Sequence, residues 1–154
     1  MFKVTKQIHF CYGHRLLNYE GKCRLLHGHN AKVEIELTSS TLDRRGMVFD
    51  FNEIKEKLQH WIDSALDHKM LLNETDPVLP SLRQLKEPVV TLPQNPTAEV
   101  LARMIFDYSK SNGFPVTEVR FWETPTSCAT FRAAVDEQPP ARRSGRPAQI
   151  ISAR

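Results

Sequence analysis

The segment CRLLHGH, from Cys23 to His29, places one thiol close to two imidazoles that flank a glycine. Side chains two positions apart in a β-strand project from the same face, so His27 and His29 can reach one ion. Catalytic zinc sites use three protein ligands and keep one position open. His14, at the end of an alternating segment, is the candidate third ligand. Three neutral nitrogen ligands favour zinc, although iron, nickel and copper also bind to such ligands. The alternative to a metal site is a set of hydrogen-bonded histidines in the core.

Cys23 lies between Lys22 and Arg24, four positions before the first histidine of this pair. Nearby cations lower the pKa of a thiol and favour the thiolate. Cys23 is therefore a candidate reactive group, and a surface cysteine without a role is the alternative.

Three further ionisable residues are candidates for the same site. Asp67 and His68 are adjacent at the end of a predicted helix and could serve one site together if the helix ends there; an ordinary polar helix terminus is the alternative. Glu123 is in phase with the apolar residues of a predicted strand, where a carboxylate is costly unless it is paired or binds a ligand. A carboxylate can accept two parallel N–H bonds from a guanidine-like edge, such as that of a pterin or guanine ring. The alternative is a solvated residue at the strand end.

The elements that would position these residues follow from periodicity. Alternation predicts strands over residues 2–14 and 27–37, and an antiparallel pairing of the two would bring His14 to the His27/His29 face. Apolar spacing predicts helices over 50–71 and 95–113, and further strands from 116 to 135. Residues 73–96 contain five prolines and are predicted to form a long connection. The resulting order of elements is strand, strand, helix, helix, strand, strand, which predicts an α+β fold with a largely antiparallel sheet.

Composition limits the class of protein. A chain of 154 residues suits one domain, predicted over 1–135, followed by a basic and disordered tail over 136–154. Without an apolar run of about 20 residues or a signal-peptide core, we expect a cytoplasmic protein with no membrane partner. Three cysteines argue against a disulfide framework. The net charge of +3 arises partly in the tail, so it is weak support for nucleic-acid binding.

Six motifs, in order along residues 2–132, resemble the 6-pyruvoyltetrahydropterin synthase / 6-carboxytetrahydropterin synthase family: FCYGHRL, CRLLHGHN, GMVFDFNEIK, LDHKML, NPTAEVLA and WETPTS. The resemblance implies a T-fold, which is a four-stranded antiparallel sheet with two helices on one face. It also implies a homo-oligomer, a trimer or hexamer in which sheets join into a barrel and active sites lie at subunit interfaces.

The resemblance also implies roles for the candidate residues. It implies a Zn²⁺ ion on His14, His27 and His29, and Cys23 as the base that transfers protons. Asp67 and His68 would come from a neighbouring subunit. Glu123 would anchor the pterin ring, and the weaker substrate-binding candidates beside it are Thr97 and Thr124. The candidates for binding a triphosphate are Arg15, Lys22 and Arg24, and ordinary solvated charges are the alternative for each.

The four-residue spacing between Cys23 and His27 resembles the bacterial carboxy branch of the family. The function implied is a lyase of queuosine biosynthesis that acts on a pterin triphosphate, 7,8-dihydroneopterin triphosphate, and releases acetaldehyde and triphosphate. One alternative is the sister activity, which eliminates triphosphate and forms 6-pyruvoyltetrahydropterin. Another is a non-catalytic zinc- or purine-binding T-fold protein, and a third is nucleic-acid binding through the arginine tail.

Overall fold

The computed structural model describes residues 1–133, so the predicted tail over 136–154 lies outside the described residues. Its strands are β1 (Phe2–His14), β2 (His27–Ser39), β3 (Lys69–Asn73), β4 (Val89–Leu92), β5 (Val116–Thr124) and β6 (Ser127–Arg132). They form one mixed sheet in the order β4-β3-β1-β2-β5-β6. The four strands β1, β2, β5 and β6 pair antiparallel, whereas β3 runs parallel to both β1 and β4.

The two main helices pack on one face of this sheet. A long helix consists of α1 (Phe51–Ile54), a π-helical turn (Lys55–Gln59) and α2 (His60–Ala65), and the others are α3 (Leu79–Gln84) and α4 (Ala98–Ser111). Asp50 begins the long helix by accepting a hydrogen bond from the Asn52 backbone N–H at 2.8 Å. Ile62 and Ile105, from the two main helices, are fully buried in the core that covers the sheet. The predicted α+β class with two main helices on one face is confirmed.

The register of β1 and β2 places the core and the histidines on the same face. Tyr12 lies opposite His29 and His14 opposite His27, so alternation directs these side chains together. Further along the pair, Ile8 and Val33 continue this face into the buried core. The predicted antiparallel pairing is therefore confirmed.

The sheet has six strands rather than the predicted four. The helix predicted to reach residue 71 ends at Ala65, and β3 begins at Lys69 because its backbone pairs with the end of β1. The segment over 73–96, predicted as an irregular connection, contains α3 and β4. Pro80 lies in the first turn of α3, and Pro88 and Pro93 flank β4. Pairing with β3 supplies the hydrogen bonds of β4, which local propensity did not indicate.

The opposite face of the sheet is charged. Glu34, Glu36 and Glu118 are buried there, and the guanidinium of Arg120 contacts all three carboxylates. Burial alone raises the pKa of Glu34 and Glu118, but ion pairs with neighbouring cations lower both pKa values below their usual range. Within residues 1–133, no helix is long and apolar enough to cross a bilayer.

Candidate metal centre and active site

Three imidazoles meet where β1 ends and β2 begins. The Nε2 atom of His14 lies 3.0 Å from Nε2 of His27 and 3.2 Å from Nε2 of His29. Tetrahedral ligands at zinc–nitrogen distances of 2.0–2.1 Å stand about 3.3 Å apart, which is close to this spacing. The cluster therefore has the dimensions of a three-histidine metal site, and His14 is almost completely buried within it.

The hydrogen bonds of the Nδ1 atoms show which ring nitrogens face the centre of the cluster. Nδ1 of His14 lies 2.8 Å from the Pro96 carbonyl oxygen, and Nδ1 of His27 lies 2.7 Å from that of Leu25. A carbonyl can only accept, so each Nδ1 donates a proton, and in the neutral form of each ring the Nε2 atom then presents a bare lone pair. Burial lowers the pKa of His14, against the opposing effects of the Pro96 carbonyl and Glu123. Two lone pairs 3.0 Å apart repel unless a proton or a metal cation lies between them. With the Nε2 atom of His29 also 3.2 Å from that of His14, the three nitrogens form a donor set that fits a divalent metal.

Glu123 lies beside this cluster near the end of β5. Its Oε1 atom accepts a hydrogen bond from the Tyr12 hydroxyl at 2.8 Å and lies 3.9 Å from Nε2 of His14. The carboxylate is 24% exposed, so it is neither fully solvated nor sealed in the core. Burial, and then the Glu123 charge, raise the pKa of Tyr12 well above its usual range, so the phenol keeps its proton.

A cavity of about 330 Å³ brings together four of the nine predicted site residues. His14, Cys23, Thr97 and Glu123 all line it. Cys23 belongs to a single 3₁₀ turn (Lys22–Arg24), and its carbonyl accepts a 2.8 Å bond from the Leu16 backbone. One of the three histidines, a thiol and a carboxylate therefore share one cavity.

The two threonines have local partners. Thr97 caps α4 by accepting a 3.4 Å hydrogen bond from the Val100 backbone while also lining this cavity. The Thr124 hydroxyl lies 3.3 Å from that of Thr126 in the β5–β6 turn. The structure thus brings Thr97 to the cavity, whereas Thr124 is not part of its lining.

Asp67 and His68 are paired, and His68 lines a different cavity from that of Cys23. His68 Nδ1 lies 2.7 Å from Asp67 Oδ2, and the His68 side chain is 78% exposed. The backbone of Cys11 holds the pair by accepting from His68 N–H at 2.7 Å and donating to Asp67 Oδ1 at 2.8 Å. Burial raises the pKa of Asp67, but hydrogen bonds from Cys11 and His68 lower it below the usual range.

This second cavity has a volume of about 630 Å³ and includes His68, Cys11, His27 and His29 in its lining. The histidine cluster therefore stands between the two cavities, with His14 on one side and His27 and His29 on the other. His68 has a left-handed backbone conformation, with φ of 54°, and its imidazole is largely exposed to solvent.

Among the predicted triphosphate ligands, Arg15 already has a partner. Its guanidinium forms a bidentate pair with the buried carboxylate of Asp76, with Nε at 2.7 Å from Oδ2. Lys22 and Arg24 remain exposed beside Cys23. Arg15 therefore anchors the segment before α3, and the two exposed cations are better placed to meet an anion.

Sequence reasoning missed three supporting residues. Tyr12 holds Glu123, Pro96 orients His14, and Asn95 exchanges two 2.9 Å hydrogen bonds with the Leu17 backbone. The in-phase position of Tyr12 on β1 was a usable signal. Pro96 and Asn95 act from a loop that is distant in sequence, and local periodicity carries no information about such contacts.

Known proteins resemble this chain over nearly all of its described length. The family model described as 6-pyruvoyl tetrahydropterin synthase matches residues 3–134. A 6-carboxy-5,6,7,8-tetrahydropterin synthase from Rickettsia conorii is 34% identical over 134 residues, which covers 81% of this chain and 96% of the relative. A protein of the same name from Haemophilus influenzae is 31% identical over 140 residues, covering 86% of this chain and 99% of the relative.

Solved structures agree on the fold. An uncharacterized protein from Wolinella succinogenes has a TM-score of 0.73 at 28% identity and covers 85% of this chain and 97% of its own. The 6-pyruvoyl tetrahydropterin synthase of Caenorhabditis elegans has a TM-score of 0.65 at 23% identity, with 86% and 96% covered. The predicted T-fold is confirmed, and this chain belongs to the 6-pyruvoyl tetrahydropterin synthase family.

Proposed function

We propose that the protein is a zinc-dependent 6-carboxy-5,6,7,8-tetrahydropterin synthase. It would convert 7,8-dihydroneopterin triphosphate to 6-carboxytetrahydropterin and release acetaldehyde and triphosphate. The observation that carries the proposal is the convergence of three Nε2 atoms beside a cavity that also holds Cys23 and Glu123. The name shared by the Rickettsia conorii and Haemophilus influenzae relatives supports the carboxy product and a role in queuosine biosynthesis.

His14, His27 and His29 would hold the ion, which when bound supplies a Lewis acid toward oxygen atoms of the substrate. Glu123 binds the pterin by accepting N–H bonds from the amino group and the neighbouring ring nitrogen. Cys23 lines the same cavity and removes and returns protons at the side-chain carbons. Fixing the ring at Glu123 places those carbons between the thiol and the histidines.

Asp67 and His68 complete the site from a neighbouring subunit. In one chain their pair lies at the cavity opposite that of Cys23, and the His68 imidazole projects outward. Asp67 holds the Nδ1 proton of His68, which leaves Nε2 to exchange protons with a group on a partner. The proposal therefore requires a homo-oligomer, a trimer or hexamer, with shared active sites.

The test is product analysis with the purified, metal-analysed protein. The enzyme is incubated with 7,8-dihydroneopterin triphosphate while the pterin product and acetaldehyde are measured together. Cys23→Ala is assayed beside Cys128→Ala, a matched control because both thiols line the same cavity. Acetaldehyde with 6-carboxytetrahydropterin, lost only in Cys23→Ala, is the expected result.

Other products would assign the protein differently. A pyruvoyl product without acetaldehyde would keep the site but move the protein to the sister activity. Bound zinc without turnover, and with pterin binding intact in Cys23→Ala, would indicate a non-catalytic T-fold protein and overturn the proposal.

A further inference from the structure

Tyr12 occupies an unusual position between the three histidines and Glu123. Its ring is 3% exposed and packs against His14 and His29 at centroid distances of 5.1 and 5.7 Å. Phe10 and Phe121 enclose its other sides, each with its ring centroid 5.8 Å away. Because the ring is packed on all these sides, the position of its hydroxyl is fixed.

The hydroxyl binds the carboxylate oxygen that lies close to the histidine cluster. Oε1 of Glu123 accepts the Tyr12 hydrogen bond at 2.8 Å, and the same atom lies 3.9 Å from Nε2 of His14. Ligand atoms around a tetrahedral ion stand about 3.3 Å apart, so a small displacement would bring Oε1 into the coordination sphere. Carboxylate oxygen is an ordinary zinc ligand, and a fourth protein ligand would convert an open site into a closed one.

We propose that Tyr12 is a positioning residue that keeps Glu123 off the metal and so preserves the open coordination position. The inference rests on the proposed metal site and on the proposed pterin-binding role of Glu123. The phenolic O–H holds Oε1 in its observed place, and the carboxylate stays directed at the cavity. Without that hydrogen bond, a cation held by the three histidines would be a strong partner close to the carboxylate.

The test measures metal binding in the absence of any pterin. Apoprotein of wild type, Tyr12→Phe, Glu123→Gln and the double variant is titrated with zinc against a competing chelator. Cobalt(II) replaces zinc in a parallel series, because its visible spectrum depends on coordination number and donor type. Tyr108→Phe is the matched control, since Tyr108 stacks on Trp61 away from the cavity.

Tyr12→Phe is expected to bind zinc at least about tenfold more tightly than wild type, an effect comparable to changes around metal ligands. Its cobalt spectrum should change as a carboxylate joins the ion. The double variant Tyr12→Phe/Glu123→Gln should return to wild-type affinity and spectrum, because the amide is a poor substitute ligand. Glu123→Gln alone and Tyr108→Phe should match wild type.

Three results would overturn the inference. Equal or weaker zinc binding by Tyr12→Phe would show that Glu123 does not move to the metal. A gain in zinc affinity that persists in the double variant would show that Glu123 does not cause it. A loss of affinity in Glu123→Gln alone would show that Glu123 is already a ligand, and this variant remains informative if Tyr12→Phe does not fold. Failure of the pterin assay would reject the proposed function but would leave these metal measurements intact.

Discussion

His14 differs from the other two histidines in how strongly the structure confines it. It is the buried member of the cluster, and the Pro96 carbonyl fixes its tautomer. We predict that His14→Ala lowers zinc affinity by more than about 100-fold, beyond the range for outer contacts of metal ligands. Metal analysis and chelator competition check this.

The control for this change is His9→Ala, because His9 is exposed on the opposite face of the same strand. Stoichiometric zinc in purified His14→Ala would contradict the three-histidine assignment. Loss of zinc in both variants would indicate a general effect on β1.

Glu123 is expected to determine substrate affinity more than the rate of the chemical step. Glu123→Gln removes a charged acceptor for ring N–H groups, and a charge-assisted hydrogen bond contributes about 1.5–3 kcal/mol. We predict a KM for the pterin raised by about 10-fold to 100-fold with a smaller change in kcat. Steady-state kinetics check this against Glu99→Gln, an exposed carboxylate on the wall of the same cavity. A loss confined to kcat would contradict the anchoring role.

At the scale of elements, the loop before α4 holds the site together. Asn95 is tied to Leu17 by two hydrogen bonds, and the next residue, Pro96, accepts from His14. We predict that Asn95→Ala weakens zinc binding by about 10-fold, because the loop carbonyl no longer holds the ring of a ligand.

Asn112→Ala is the matched control for Asn95→Ala. It also removes a 2.9 Å hydrogen bond from a side-chain amide to the backbone, but Asn112 lies at the C-terminal end of α4. Chelator competition and a denaturation curve for each variant separate metal affinity from stability. Equal zinc affinity in the two variants would exclude a role for Asn95 in the metal site.

The pair of Arg15 and Asp76 joins the end of β1 to the segment before α3. Hydrogen bonding from Arg15 lowers the pKa of Asp76 below its usual value, against the opposing effect of burial. A carboxyl with a depressed folded-state pKa stabilises the fold fully above its unfolded pKa, near 3.9, and this stabilisation is lost as pH falls through the folded value. We predict that Asp76→Asn lowers the free energy of unfolding at pH 7 by about 2 kcal/mol.

Urea denaturation at several pH values tests this prediction. The difference between wild type and Asp76→Asn should be constant from pH 5 to pH 7 and shrink below about pH 4, where wild type also loses the charge. Asp63→Asn, an exposed change on α2, should have little effect on stability. A difference that grows toward low pH would have the wrong sign and would contradict the argument.

At the scale of the whole molecule, one chain does not place all the proposed catalytic groups in one cavity. Cys23 lines the cavity with His14, whereas His68 lines the cavity on the side of His27 and His29. If neighbouring subunits share sites, mixing two inactive variants should restore activity. We predict that Cys23→Ala and His68→Ala, dissociated and reassembled together in equal amounts, recover activity at about one quarter of the sites.

Subunit exchange is verified by mass-tagging one variant before mixing. Each variant reassembled with itself is the control and should stay inactive. Confirmed exchange without recovered activity would mean that both groups act within one chain, and the proposed shared site would be wrong.

The sequence predicted the central framework well because it depends on local patterns. Alternation in β1 and β2 indicates which faces of the strands pack together, so it places His14, His27 and His29 on one face without further information. The sequence did not predict β3 and β4. These short segments are strands only because β3 pairs with the end of β1 and with β4. The predicted helix was too long because it included residues of β3, whose strand conformation depends on this tertiary pairing.

The sequence by itself determined the residue types that can do chemistry and the strand faces that carry them, because side-chain direction alternates with a fixed period. Tertiary structure alone decided which distant groups form hydrogen bonds with these side chains. The Tyr12 hydroxyl meets Glu123 across 111 positions of sequence, and the Pro96 carbonyl meets His14 across 82. Such contacts depend on how the sheet and loops pack in three dimensions, and that packing decided which atoms of Glu123 and His14 remain free to bind.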